Sequence, residues 1–157
     1  MIKGSTKKQM GFILTLTFCS NFFAGVGYIA SGTGMNGALS CGLGALISVV
    51  NFFYGQKNIP IPKFLLGIYF VGFFVVNIIS KSTIVLTTVA ILATFSFVIG
   101  LAKRDGKGFR FWKILNNGLW LVYDLIAQSY NSFLLHSATM VFTLASSFFY
   151  DREKKVK

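Results

Sequence analysis

The residues of this chain that can carry chemistry gather in one segment, from Lys113 to His136. Asp124 is the only acidic residue inside a long apolar stretch, and His136 is the only histidine. The two lie equally far, in opposite directions, from a short polar turn centred on Tyr130. Two antiparallel helices joined by that turn bring both side chains to a similar depth, so the sequence predicts that they pair.

An Asp124–His136 pair would have a definite chemical consequence. A neighbouring carboxylate in a medium of low dielectric constant favours the protonated imidazole, which predicts a site whose charge changes with pH. A polar side chain within a bilayer is costly and usually faces protein or water, so each one is a candidate site. The alternative is that both side chains lie near the membrane surface and reach water and lipid headgroups.

Other polar and aromatic residues extend this candidate site along the same helix. They recur at three- and four-residue steps, which places them on one helix face; they are Lys113, Asn117, Trp120, Asp124 and Gln128. Trp120 and its neighbour Tyr123 can stack on a ring or hold a cation. They can equally be aromatic residues of the membrane interface.

Amide side chains in several segments add to the candidate set, namely Asn21, Asn51, Asn77, Asn116 and Asn117. They suit a neutral polar solute and equally suit hydrogen bonds between helices. The candidate ligand-binding residues are therefore Asp124, Trp120, Tyr123, Asn117, Asn21, His136 and Asn51. The sequence contains no metal-ligand cluster, no nucleophile beside a base and no phosphate-binding loop, so we expect no metal, no cofactor and no enzymatic activity.

Six apolar segments position these residues, and each has about the ~20 residues that a helix needs to cross ~30 Å of hydrocarbon. They are 10–30, 36–55, 62–80, 84–102, 110–128 and 131–150. Hydrophobic residues make up 54% of the chain and charged residues only 12%, whereas roughly a quarter of the residues are charged in soluble domains. The prediction is an all-α polytopic protein, with residues 1–157 forming one integral membrane domain.

The basic residues indicate how the segments are oriented. Of the 15 Lys and Arg residues, all but Lys81 lie before the first segment, in or near the second and fourth gaps, or after the last segment. The positive-inside rule therefore places both termini in the cytoplasm. A net charge of +11 can indicate nucleic-acid binding in a soluble protein, but here the charges sit at helix ends, so the expected partner is the lipid bilayer and not nucleic acid.

The chain also repeats itself at a shift of 96 residues. This shift pairs Asn21 with Asn117 and Leu39 with Leu135, and it pairs Phe52-Phe53-Tyr54 with Phe148-Phe149-Tyr150. Segments one and two then correspond to segments five and six. A shift of four helices preserves orientation, which predicts a parallel repeat related by an axis along the membrane normal.

The run Trp120-Leu-Val-Tyr-Asp124-Leu-Ile-Ala-Gln-Ser129, followed by a helix that ends in aromatic residues and Asp151-Arg152-Glu-Lys-Lys, resembles the C-terminal hairpin of YgjV-type bacterial inner-membrane proteins. The segment from Lys7 through Asn51 to Pro62 resembles their earlier hairpin. The resemblance implies a location in the bacterial inner membrane and an arrangement similar to the SWEET and PnuC transporters. If segments one and two match the second and third helices of that arrangement, its first helix has no counterpart in this sequence. Segments one and five also lack the prolines of the SWEET pattern.

Together these observations predict a small-solute transporter or facilitator with a pocket between the repeated hairpins. One alternative is a structural or accessory membrane subunit whose polar residues only join helices. Another is a pore-forming, holin-like oligomer. Six short helices enclose little space, so a homo-oligomer is also expected.

Overall fold

In the computed structural model, the described residues are 4–57, 59–80, 82–103 and 106–153, with side chains described between residues 11 and 148. Six α-helices account for nearly all of this part of the chain, and it contains no strand. The helices are α1 (Gly4–Ser31), α2 (Met35–Gln56), α3 (Lys63–Ile79), α4 (Ile84–Ala102), α5 (Gly106–Ile126) and α6 (Tyr130–Glu153). Each predicted segment overlaps one of them, so the all-α class is confirmed.

Local sequence explains where several helices begin and end. Gly32 and Gly34 have φ angles of 66° and 64°, a left-handed backbone that glycine adopts at little cost, and they turn the chain between α1 and α2. Pro62 and Thr83 are the N-cap residues of α3 and α4, and the Thr83 side chain accepts a hydrogen bond from the Leu86 N–H. Gln128, with a φ of 54°, turns the chain between α5 and α6.

Helices α1 and α2 form one hairpin and helices α5 and α6 form a second, and α3 and α4 lie between the two hairpins in the sequence. The most extensive interface joins α1 and α2, where a Cβ atom added at Gly25 would lie 3.5 Å from Cβ of Cys41. Such close approach of backbones is typical of small residues at helix interfaces in lipid. The second hairpin, α5–α6, contacts the first mainly through α1 and α6, while α4 packs against α5 and α3 against α4.

The distribution of polarity differs from that in a soluble protein, because many polar side chains are buried beside the hydrophobic core and many large apolar ones are exposed. Buried polar or charged side chains include Thr17, Asn36, Asn77, Asn116 and Asn117. Large apolar side chains face outward on the described part of every helix; Phe64 and Ile84 are 80% and 86% exposed. An exterior of this kind is stable in hydrocarbon, whereas in water it would be an extended apolar patch.

Three described segments are long and apolar enough to cross a membrane: Gly11–Ser31, Met35–Gln56 and Ile84–Ala102. Helix α3 is apolar but has only 17 residues, which is about 25 Å of helix. The described parts of α5 and α6 are more polar because α5 carries buried Arg, Lys and Asp residues and α6 is rich in Ser and Thr. The structure therefore supports three of the six predicted spans by length and composition.

Part of the predicted charge asymmetry lies outside the described residues. The basic residues concerned are Lys3, Lys81, Arg104, Lys154, Lys155 and Lys157. The side chains of Lys7, Lys8 and Arg152, and those of Phe149 and Tyr150 at the end of the repeat, also lie beyond the described side chains.

Candidate functional site

Tyr28, Asp124 and His136 form a buried group that we call the aspartate cluster. Nδ1 of His136 lies 2.7 Å from Oδ2 of Asp124, and the Tyr28 hydroxyl donates a hydrogen bond to Oδ1 of the same carboxylate. All three residues are at most 1% exposed. The predicted Asp–His pair is confirmed, and it lies inside the helix bundle instead of reaching the surface.

Helices α1, α5 and α6 each supply one member of the aspartate cluster. A carboxylate buried without partners would be strongly destabilising, but here each oxygen has a hydrogen-bond partner. The far nitrogen of the imidazole, Nε2 of His136, is buried and has no partner among the described residues. The cluster therefore joins the two hairpins at their turn ends and leaves one imidazole nitrogen without a described partner.

Tyr123 packs beside the aspartate cluster and joins α5 to the start of α2. Its hydroxyl donates to Oδ1 of Asn36 and accepts from the Gly37 N–H at 3.1 Å. Its ring meets the Tyr28 ring edge-on, with centroids 5.7 Å apart. A Cβ atom added at Gly34 or Gly37 would come within 2.7 Å or 2.9 Å of the Tyr123 side chain, so only glycine fits there without movement.

Trp120 connects this region to the middle of the bundle. Its ring stacks on His136 with centroids 5.6 Å apart and planes inclined by 19°. Trp120 also lines a cavity of about 10 Å³, room for about one water molecule. The other cavity-lining residues come from α1 to α5: Asn21, Ser40, Gly44, Phe73, Thr94, Phe97 and Asn116.

We call this space, together with the adjacent Lys113, the lysine cavity. Nζ of Lys113 donates to Oδ1 of Asn116 at 3.0 Å and lies 5.3 Å from the centre of the Phe97 ring. Lys113 is only 4% exposed. Among the described side chains no carboxylate lies within 4 Å of its ammonium group, so its nearest partners are a neutral amide and an aromatic ring.

The structure brings together most of the predicted site residues. Asp124, His136, Trp120 and Tyr123 are contiguous, and Asn21 lines the cavity on the other side of Trp120. Asn117 is fully buried next to this group, and neither atom of its amide has a partner in the described part of the chain.

Two residues of the sequence hypothesis lie apart from this group. Asn51 is buried between α2 and α3, where Oδ1 is 3.5 Å from the Tyr69 hydroxyl, and it does not line the lysine cavity. Gln128 was expected on the polar face of α5 but is exposed, because the helix ends at Ile126 and the chain turns at Gln128 itself.

Sequence reasoning missed several residues of the site. Tyr28 and Asn36 are ordinary residues in apolar segments, and only the bundle places them against Asp124 and Tyr123. A signal for Tyr28 was present nonetheless, because Tyr28 and Asp124 are separated by the same 96 residues as the sequence repeat. Ser40 and Thr94 line the cavity, but no comparable feature of the sequence marks them.

Comparison with known families identifies the chain. The model of the Imp-YgjV family, described as bacterial inner membrane protein, matches residues 6–154. The chain belongs to this family. The resemblance inferred from the sequence is confirmed, and with it a place in the bacterial inner membrane. No curated protein and no solved structure matches the chain.

Proposed function

We propose that this Imp-YgjV protein is a small-solute transporter or facilitator that crosses the inner membrane six times with both termini in the cytoplasm. One observation carries the proposal: polar side chains from four helices converge on one interior cavity while the exterior is apolar. Asn21, Thr94 and Asn116 each lie near the middle of their helices. Transporters commonly bind their substrates at this depth, near the bilayer midplane.

The unpartnered polar atoms favour transport over a purely structural role. Burying a polar group without a hydrogen bond costs about 1–3 kcal/mol, and helix packing alone gives no reason to retain such groups. Yet both amide atoms of Asn117, Oγ of Ser20 and Nδ2 of Asn36 are buried without a described partner. A passing solute or water can satisfy them.

The two hairpins support a repeated architecture. Helix α1 ends at Ser31, which corresponds to residue 127 under the 96-residue shift. Helix α5 ends one residue earlier, at Ile126, so the two turns fall at nearly equivalent positions. Tyr28 and Asp124, which correspond under that shift, contact each other. We propose that the hairpins are parallel repeats and that transport widens the space between them, since the present cavity of about 10 Å³ is too small for a solute.

Uptake into proteoliposomes tests this function. Purified protein should take up at least one of a panel of labelled sugars, nucleosides, vitamins, amines and short carboxylates with saturable kinetics. Asn21→Ala, which removes an amide from the cavity, should reduce the rate at least tenfold, whereas the exposed Gln128→Ala should leave it unchanged. The absence of uptake across the panel would favour the accessory-subunit alternative, and rapid unselective leakage of a trapped dye would favour the holin-like pore.

Cysteine labelling tests the proposed topology. In a Cys19→Ser, Cys41→Ala background, a cysteine replacing Ser31 should react in intact cells with a maleimide that cannot cross membranes. A cysteine replacing Lys107 should react only after the cells are opened. Labelling of the Lys107 position from outside would overturn the proposed orientation.

A further inference from the structure

The lysine cavity adjoins a buried cation, Lys113, for which the described residues supply no counter-charge. Lys113 is 4% exposed, and Asp124 is the only acidic residue whose side chain the structure describes. Asp124 lies eleven positions further along α5, which is about 16 Å along the helix axis, and it is already bound by Tyr28 and His136. It therefore cannot neutralise the ammonium group.

The immediate partners of Lys113 do not compensate for its burial either. A buried ammonium group loses several kcal/mol of hydration, and one amide oxygen and one aromatic face return only part of this. An ammonium group that is buried with only these two partners among the described residues favours an anion beside it.

The cavity beside Lys113 provides groups that can bind an anion. Asn116 and Phe97, the two partners of Lys113, both line it. Asn21 is 8% exposed, lines the same cavity and makes no hydrogen bond within the described part of the chain, so its NH₂ group is free to donate. Its Nδ2 lies 2.7 Å from the position that a Cβ of residue 44 would take, so Gly44 leaves room for the amide.

We propose that the lysine cavity is a binding site for a small monovalent anion, either a halide or the carboxylate group of a short organic acid, held by the Lys113 ammonium and the Asn21 amide. The anion supplies the missing negative charge and satisfies the unused donors. The present cavity has room for about one water molecule, so binding a halide or carboxylate requires a modest outward movement of its walls. In naming the class of transported solute, this inference rests on the transport function proposed above.

Thermal unfolding in detergent tests the site without any need for transport. Sodium chloride and sodium acetate are titrated separately, at constant ionic strength balanced with the sodium salt of a bulky sulfonate. We expect one of the two to raise the apparent Tm in proportion to ln(1 + c/Kd), where c is the anion concentration, by about 5–10 °C at 100 times the Kd. A chloride response identifies a halide site, and an acetate response identifies a carboxylate site.

Matched variants decide whether Lys113 is responsible. Lys113→Met should abolish the anion response, whereas Lys107→Met, an exposed residue of the same helix, should keep it. Asn21→Leu, which retains the cation but removes the cavity amide, should weaken the apparent affinity at least tenfold and serves as the test if Lys113→Met does not fold. The absence of any anion-specific shift in the wild type, or an equal shift in both lysine variants, would overturn the site.

The two proposals fail in different ways. Anion-dependent stabilisation without uptake of any solute would leave the binding site standing and overturn the transporter. Saturable uptake of an uncharged solute that is indifferent to chloride, acetate and Lys113→Met would leave the transporter standing and overturn the anion site.

Discussion

The aspartate cluster and the lysine cavity both adjoin Trp120, but their buried charges have different partners. In the cluster, both carboxylate oxygens of Asp124 are bound by residues from other helices, and the Tyr28 and Tyr123 rings pack edge to face. In the cavity, the partners of Lys113 among the described residues are neutral, and the Asn21 amide lines the open volume. A charge that is satisfied internally joins helices, whereas a charge left without an opposite charge is available to a ligand. The comparison thus supports a structural role for the cluster and agrees with the binding role proposed for the cavity.

The largest expected effect is on the aspartate cluster. Asp124→Ala leaves the Tyr28 hydroxyl and the His136 imidazole buried without their acceptor, so the free energy of unfolding should fall by about 3–5 kcal/mol. Equilibrium unfolding of purified protein in detergent measures this change, with Gln128→Ala as the exposed control. A change below about 1 kcal/mol would mean that Asp124 contributes no more than a surface ion pair.

Alanine substitutions at two glycines of α2 test how tightly the aspartate cluster and the lysine cavity are packed. Gly37→Ala places a Cβ 2.9 Å from the Tyr123 ring. That ring packs against Tyr28 and Trp120, so the substitution should lower the free energy of unfolding by about 1–3 kcal/mol. Gly44→Ala presses on the end of the Asn21 amide at 2.7 Å, and that amide can move into the cavity, so the cost should be smaller. Gly42→Ala, with nothing within 4 Å of its Cβ, is the control. Equal losses at positions 37 and 44 would show that the cavity is as rigid as the cluster.

Removal of the buried cation Lys113 should change the free energy of unfolding in the opposite direction to removal of the buried acid Asp124. Lys113→Met fills a similar volume without a charge to bury, so in the absence of halides and short carboxylates we expect the protein to become more stable by about 1–3 kcal/mol. The comparison is made with Lys107→Met in the same unfolding assay. A loss of stability comparable to that of Asp124→Ala would indicate that Lys113 has a strong internal partner.

The smallest effect is expected for the amide that faces the cavity. Asn21→Ala breaks no hydrogen bond within the described part of the chain and should change stability by less than about 0.5 kcal/mol. Asn36→Ala removes the acceptor of the Tyr123 hydroxyl and should cost about 1 kcal/mol. If Asn21→Ala and Asn36→Ala lose equal stability, then the amide without a described hydrogen bond contributes as much as the hydrogen-bonded one, and the comparison fails for these two residues.

The sequence predicts the framework well and the site only in part. Segment length and apolarity place all six helices to within a few residues, apart from the longer starts of α1 and α5. The symmetry of residues 124 and 136 about one turn predicts their pairing because a tight antiparallel hairpin fixes relative depth. The partners Tyr28 and Asn36 depend on how each helix rotates about its axis and which helices become neighbours, and hydropathy does not encode either.

Lys113 illustrates the same limit. Its position among Lys103, Lys107 and Arg110 suggests an interfacial cation, and only the packing of α4 against α5 places its ammonium group over Phe97 inside the bundle. Asn51 shows the converse, since its residue type suggests the site while the bundle places it beside Tyr69, away from the cavity.

The double role of Trp120 has a thermodynamic consequence. A single indole is at once the stacking partner of the imidazole and a wall of the cavity. Any occupant that displaces the indole also alters the packing of the histidine, and a change in that packing must alter affinity for the occupant by the same factor, because linkage between two sites is reciprocal. Cavity and cluster would then be coupled through one shared ring.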